Sequence, residues 1–316
     1  MSAKKENEVD SLGARLKTYE TFWNEKVLDK NAPVYVRLDG RHFSKLTSGM
    51  GYPYADLEKY EKTKSKYSSF LWGLMRMVAV DLLVEFKPDI AEVHSDEISL
   101  AWKEFKNVPF NGRFFKILSN IPSYAAVSLY RRAYNVKKLN IKPHDETTNY
   151  EKDIDHVLNS SPSFDCRMFQ VPDIFELTNC FIWRQNDCMR GTINQYAQRY
   201  FSHKQLENKS IVERIEMLKD AGHGEYMGSI DFARLVLGSW FAKKTVELPM
   251  PEEYKKFNPG KDTVLRNTVV EVFPPQLSKE PVAKRIEILF DDNHAGLSTQ
   301  LSQYMTNAGC SLKAWV

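Results

Sequence analysis

Two acidic positions, far apart in the chain, are candidates for joint chemistry. Asp39 precedes Gly40 in VYVRLDGRHF, and Asp96 stands beside Glu97 in EVHSDEISLAW, directly after His94 and Ser95. Two convergent carboxylates, with a backbone carbonyl left accessible by glycine, suit Mg²⁺, a hard ion that takes oxygen ligands and retains water or phosphate oxygens. Pairs of such ions serve in-line attack at phosphorus. Spacing alone suits turn capping at least as well, because Asp-Gly is a common turn dipeptide. Arg113 and Lys116 stand three apart at the start of a predicted helix. There they would either join the helix N-terminal amides in a triphosphate cradle or form an ordinary basic surface. Trp183, ahead of Arg184-Gln185, reads as core packing with a salt bridge in preference to a base-stacking platform.

The elements that must position these residues follow from hydrophobic period. Val34, Val36 and Leu38 alternate, which predicts a strand ending at Asp39-Gly40. Ile98, Leu100 and Trp102 predict a second strand, headed by the acidic pair. Strand neighbours point to opposite faces, so Asp96 is expected to share a face with His94, and Glu97 with Ser95. If the two strands adjoin, Asp39 and Asp96 converge. LGARLKTYETFW reads as an amphipathic helix, and a long helix follows over Tyr67 to Leu82. NGRFFKILSNIPSYAAVSLYRR is helical in pattern, with a kink or boundary expected at Pro122. Residues 133–162 read as a polar excursion, and SFDCRMFQVP as a strand. A helix is expected from Asp173 to about His203, and Ser210 with Glu213 opens another through a capping box. LGSWFAKKTVEL, DTVLRNTVVEVF and KRIEILF read as strands. The order predicts an α+β fold, a split βαβ sheet with helices on one face.

Composition supports a sizeable core, with 42% apolar and 27% charged residues in 316. A net charge of +3 gives no global drive toward nucleic acid. No apolar run reaches the length of a membrane span, and the polar opening MSAKKENEVD has no signal-peptide core. The four cysteines form no CxxC pair, which fits a reducing, cytoplasmic compartment.

Taken in order, LGARLKTYE, VRLDGRHF, HSDEISLAW, FDCRMFQVP, FIWRQNDCMR and FSHKQLENKS resemble segments of the tRNA-His guanylyltransferase superfamily. The branch they resemble is that of its Thg1-like 3′–5′ polymerases. RLVLGSWF resembles a further segment, so the likeness spans roughly residues 11–245. It implies a polymerase palm-like catalytic domain over 11–245; residues 1–10 read as a disordered tail, and 246–316 as a C-terminal α/β extension.

The resemblance also implies roles. Asp39 and Asp96 become shared Mg²⁺ ligands with the Gly40 carbonyl, and Glu97 completes the catalytic acids. Arg41, His42, Phe43, Ser95, Arg113 and Lys116 become nucleotide or triphosphate contacts. Arg167, Arg184, Arg190, His203 and Lys204 become RNA or phosphate contacts. The implied reaction activates an RNA 5′-monophosphate with ATP or GTP. It then lets the 3′-hydroxyl of an incoming NTP attack that phosphate, using two or more Mg²⁺ ions. The implied substrate is a tRNA short at its 5′ end, and the implied assembly a homotetramer. Alternatives are G−1 addition to tRNA-His, or a palm that binds tRNA without catalysis. Gly191 replaces a family asparagine, and Tyr52 stands where the family carries lysine.

Overall fold

Alternation in VYVRLDG does form a strand. In the computed structural model this is β1 (Val34–Gly40). The structure describes residues 12–21, 25–47, 50, 69–139, 150–227, 230–250, 252–257, 260–272 and 276–290. Tyr52, Trp23 and residues 1–10 lie outside these. Helix α1 covers 12–21, but its apolar positions Leu12, Leu16 and Tyr19 are exposed rather than packed. Then come β1, the short helix α2 (Phe43–Leu46), α3 (Ser69–Phe86), β2 (Ile90–His94), β3 (Glu97–Trp102) and α4 (Phe114–Lys138). They are followed by α5 (Tyr150–Asn159), β4 (Phe164–Gln170) and α6 (Ile174–Tyr200). Beyond α6 lie α7 (His203–Leu206), α8 (Ile211–Leu218), α9 (Gly224–Met227) and α10 (Ile230–Leu237). The chain then gives β5 (Ser239–Pro249), α11 (Glu252–Lys255), β6 (Thr263–Val272) and α12 (Val282–Phe290).

The strands form one antiparallel sheet in the order β4-β1-β3-β2-β5-β6. Val34, Val36, Leu38, Val93, Ile98, Leu100 and Trp102 pack on one face against α3, α4 and α5. Tyr35, Ile90, Ala101 and Trp240 pack on the other against Leu177 and Phe181 of α6 and Leu289 of α12. Helices therefore cover both faces, not one. The central strands β2 and β3 are buried at every residue, which is what two covered faces demand.

Three expectations on local structure are corrected. Helix α4 runs unbroken through Pro122. The apolar face of Ile117, Ile121, Ala125, Leu129 and Ala133 is buried on both sides of that proline, so packing outweighs the lost backbone bond. The excursion at 133–162 includes the last turn of α4 and all of α5. KRIEILF is helical. Ile286, Leu289 and Phe290 fall at i, i+3 and i+4, a period that a run of three terminal apolar residues obscures. Other readings stand: the helix expected from Asp173 forms as α6, where the Asp173 side chain accepts from the Glu176 N–H at 2.9 Å, and Ser210 and Glu213 form the capping box of α8.

Among the described cysteines, Cys180 and Cys188 are buried and Cys166 is half-buried. Burial pushes the Cys166 thiol up to about 12 and the Cys180 thiol up to about 11, and it raises Cys188 as well. Thiolate is the reactive form, so at pH 8 alkylation of these three in native protein should lag a denatured control by orders of magnitude. Peptide mapping after iodoacetamide treatment checks this.

Candidate active site

The β2–β3 hairpin turns through two residues only, Ser95 and Asp96, with Ser95 in a left-handed backbone at φ 53°. Antiparallel pairing brings β1 alongside, so that Asp39 lies opposite Glu97. One residue on, the Gly40 N–H donates to the Asp96 carbonyl at 2.9 Å. Asp39 and Asp96 thus meet at neighbouring strand ends, both half-buried. Ser95 Oγ donates to Asp96 Oδ1 at 3.1 Å. Burial first, and then the charge of Asp39, push the Asp96 carboxyl above its usual range, against the pull of its hydrogen bonds.

Gly40 is required by contact rather than by φ. A Cβ there would lie 2.5–2.7 Å from the Phe43 ring. Phe43 is buried against Phe164, with centroids 5.3 Å apart. Its side chain therefore supports the Gly40 backbone from beneath and is not open to a nucleotide. Arg41, whose N–H donates to the Ser163 carbonyl at 2.9 Å, and His42, left-handed at φ 59°, are exposed at the rim beside Gly40.

Two mutually repelling carboxylates and a glycine carbonyl form an all-oxygen donor set, which fits a hard cation. Among the described residues no group of three or more His, Cys, Asp or Glu converges as a metal site. The protein would supply two carboxylates and leave the rest of the shell to water and phosphate oxygens, the habit of Mg²⁺ rather than of zinc.

Glu97 departs from the expected facing. A two-residue turn makes His94 and Glu97 direct cross-strand partners, so they share a face and Glu97 does not align with Ser95. The Glu97 carboxylate is buried and held bidentate by Arg184 of α6, at 2.6 Å from Nε and 2.8 Å from Nη2. His94 Nε2 stands 3.6 Å and Arg37 Nε 3.9 Å from it. His94 Nδ1 faces the fully buried Glu92 at 3.2 Å. Burial alone would depress His94, but Glu92 and then Glu97 more than offset it and raise its pKa. Arg184 is therefore buried in an ion pair that joins α6 to the β2–β3 hairpin. Arg190, exposed, pairs with Asp187, which also accepts from Arg184 Nη1 at 2.7 Å.

Arg113 and Lys116 are not brought to the acids. β3 runs from Glu97 to Trp102, opposite Val34, before α4 begins. Five strand steps of about 3.3 Å put roughly 17 Å between the two ends of the sheet. Both are exposed, and Arg113 sits beside Val27 in an isolated bridge. His203 and Lys204, on α7, lie beyond the end of α6 and are exposed. The 16 residues from Arg184 to Tyr200 put the end of α6, where α7 packs, about 24 Å along the helix from the Glu97 contact. Arg167, on β4, is exposed and bonds Asp165 at 3.2 Å through Nε. Sequence reasoning missed Arg37, Glu92 and Asp165. Arg37 could have been found, because period two puts it on the face of Asp39.

The tRNAHis guanylyltransferase family model matches residues 13–172, just over half of the sequence. The chain belongs to the tRNAHis guanylyltransferase family. Its members are tRNA guanylyltransferase-type nucleotidyltransferases. The matched span holds Asp39, Gly40, Asp96 and Glu97, and it stops just before α6. Among solved structures, a bacterial tRNA(His) guanylyltransferase-like protein in complex with ATP is 20% identical, with a TM-score of 0.57 over 88% of this chain and 99% of that one. Another, in complex with GTP, is 20% identical, with a TM-score of 0.53 over 85% and 94%. These share the guanylyltransferase fold. No curated protein matches the sequence.

Gly191 lies within α6, and a Cβ added there would meet nothing within 4 Å among the described residues. Gly191→Ala should therefore stabilise the protein by about 0.5–1 kcal/mol, the helix-propensity difference. Urea denaturation checks this through a raised midpoint at unchanged slope.

Proposed function

We propose that this protein adds nucleotides in the 3′–5′ direction to the 5′ end of tRNA, repairing truncated ends, with the opposing strand selecting each nucleotide. The observation that carries the reading is the convergence of Asp39 and Asp96 at adjoining strand ends. Family membership supports it, as do the ATP and GTP complexes of the bacterial relatives. Mg²⁺ held by Asp39, Asp96 and the Gly40 carbonyl would supply charge neutralisation at the reacting phosphate and a more acidic attacking hydroxyl. The chain's own contribution is placement. Ser95 orients the Asp96 carboxylate, Phe43 fixes the Gly40 backbone, and the Glu97–Arg184 pair holds the hairpin rigid against α6. Arg41 and His42, exposed at the rim beside Gly40, are polar side chains open to an incoming triphosphate. The net charge of +3 suits a protein that leaves sequence reading to base pairing.

G−1 addition to tRNA-His uses the same centre. The two are separated by incubating purified protein with Mg²⁺, NTPs and either truncated tRNAs of several identities or intact tRNA-His. Extension of the truncated set, with 5′-triphosphate ends bypassing the need for ATP, is expected. Extension of intact tRNA-His alone would transfer the assignment to G−1 addition, and no extension of any RNA would leave a tRNA-binding palm. The resemblance implies a homotetramer, for which light scattering should return the mass of four chains. Among the described residues, no helix is long and apolar enough to cross a membrane.

A further inference from the structure

β1 and β4 carry an ordered pattern on one face. Asp39 lies opposite Asp165, Arg37 opposite Arg167, and Tyr35 opposite Phe169. Directly opposed residues share a face, and positions two apart remain on it. Leading away from the acidic centre, this face therefore steps from carboxylates to guanidiniums to aromatics, at about 7 Å per step, with Tyr35 and Arg37 of β1 buried. β4 is an edge strand, and its member of each pair, Asp165, Arg167 and Phe169, is exposed.

Trp183 reaches over this face from α6. Its ring centroid lies 5.5 Å from the Arg37 guanidinium carbon and 4.8 Å from that of Arg184, yet 49% of the residue is open to solvent. The expected core packing is thus only half met. Arg37 is the second observation. Its exposure is 9%, and its Nε makes no hydrogen bond among the described residues. Glu97, 3.9 Å away, already has both oxygens engaged by Arg184. A buried guanidinium N–H of this kind favours an anionic oxygen arriving from outside.

The geometry points to this face as the seat of the RNA's 5′-terminal nucleotide, with Trp183 stacking its base and Arg37 and Arg167 taking its phosphate beside Asp39 and Asp96. It rests on the reading above that an RNA end is the substrate. Aromatic rings interleaved with cations along an open track are how single strands and strand ends are held. A free nucleotide takes an enclosed pocket instead, and here Arg167, Phe169 and Trp183 all face solvent.

The test is a binding cycle on the full chain, using a 5′-monophosphorylated acceptor-stem hairpin lacking its first nucleotide. The hairpin is used intact or with its 5′-terminal residue abasic, against wild type and Trp183→Ala. Loss of one base–aromatic stack costs roughly tenfold or more in affinity. Each single change should weaken binding by that much, the double combination should add little further, and the KM for NTP should stay unchanged. Trp183→Phe should keep most of the affinity. Losses that multiply, or a changed NTP KM with unchanged RNA affinity, overturn the assignment. So does equal affinity of wild type for intact and abasic RNA, an arm that needs no variant to fold. Extension by wild type without this coupling removes the Trp183 role alone. Coupling without extension supports the role and removes the repair reading.

Discussion

Asp96→Asn should lower 5′-nucleotide addition by roughly 10³-fold or more, because the interaction lost is worth several kcal/mol in the transition state. The same variant should melt at or above the wild-type temperature. Asp96 is half-buried, and the charge of Asp39 adds to burial in raising its carboxyl. Removing one of two like charges relieves that repulsion, while asparagine keeps the size of the side chain and can still accept from Ser95 Oγ. Loss of activity with retained stability separates a ligand to a reacting ion from a turn cap, whose loss destabilises. Single-turnover extension and a thermal melt on the same preparation decide it. A variant that transfers nucleotides at wild-type rate, or one that unfolds, speaks for the turn-cap role.

Arg184→Ala should be the most destabilising single change at the site, by about 3–5 kcal/mol. It strands the buried Glu97 carboxylate, whose remaining cationic neighbours are His94 at 3.6 Å and Arg37 at 3.9 Å, neither within hydrogen-bond reach. Replacing both partners by apolar residues, Glu97→Leu with Arg184→Met, should recover most of the loss, because buried pairs and well-packed apolar substitutes differ little in stability. Urea denaturation of the two single variants and the double variant measures the coupling. An Arg184→Ala protein within about 0.5 kcal/mol of wild type, the range of an ordinary surface change, would show that the pair does not hold α6 to the hairpin.

Local chemistry was legible where one element decided it. Period two in VYVRLDG and the Ser210–Glu213 box both carry their signals within a few residues. Convergence of Asp39 and Asp96 could be stated only on the condition that their strands adjoin, and that pairing is long-range. Glu97 defeated the strand rule because a two-residue turn resets facing, making His94 its partner. Its real counterpart, Arg184, is 87 positions away, beyond any local pattern. Arg113 and Lys116 show the same limit in reverse. Their helical spacing is sound, but the direction of β3 carries them to the far end of the sheet. The second helical layer was hidden because β2 and β3, buried on both faces, only partly show the alternation of a half-buried strand.

The most direct measurement follows 5′ extension of one truncated, 5′-triphosphorylated tRNA by wild type, Asp39→Asn and Asp96→Asn side by side, with the unpaired base opposite the gap switched from C to A. The account predicts that wild type changes the added nucleotide from G to U and that both variants add nothing. Addition that ignores the opposing base, or that persists in either variant, would contradict it.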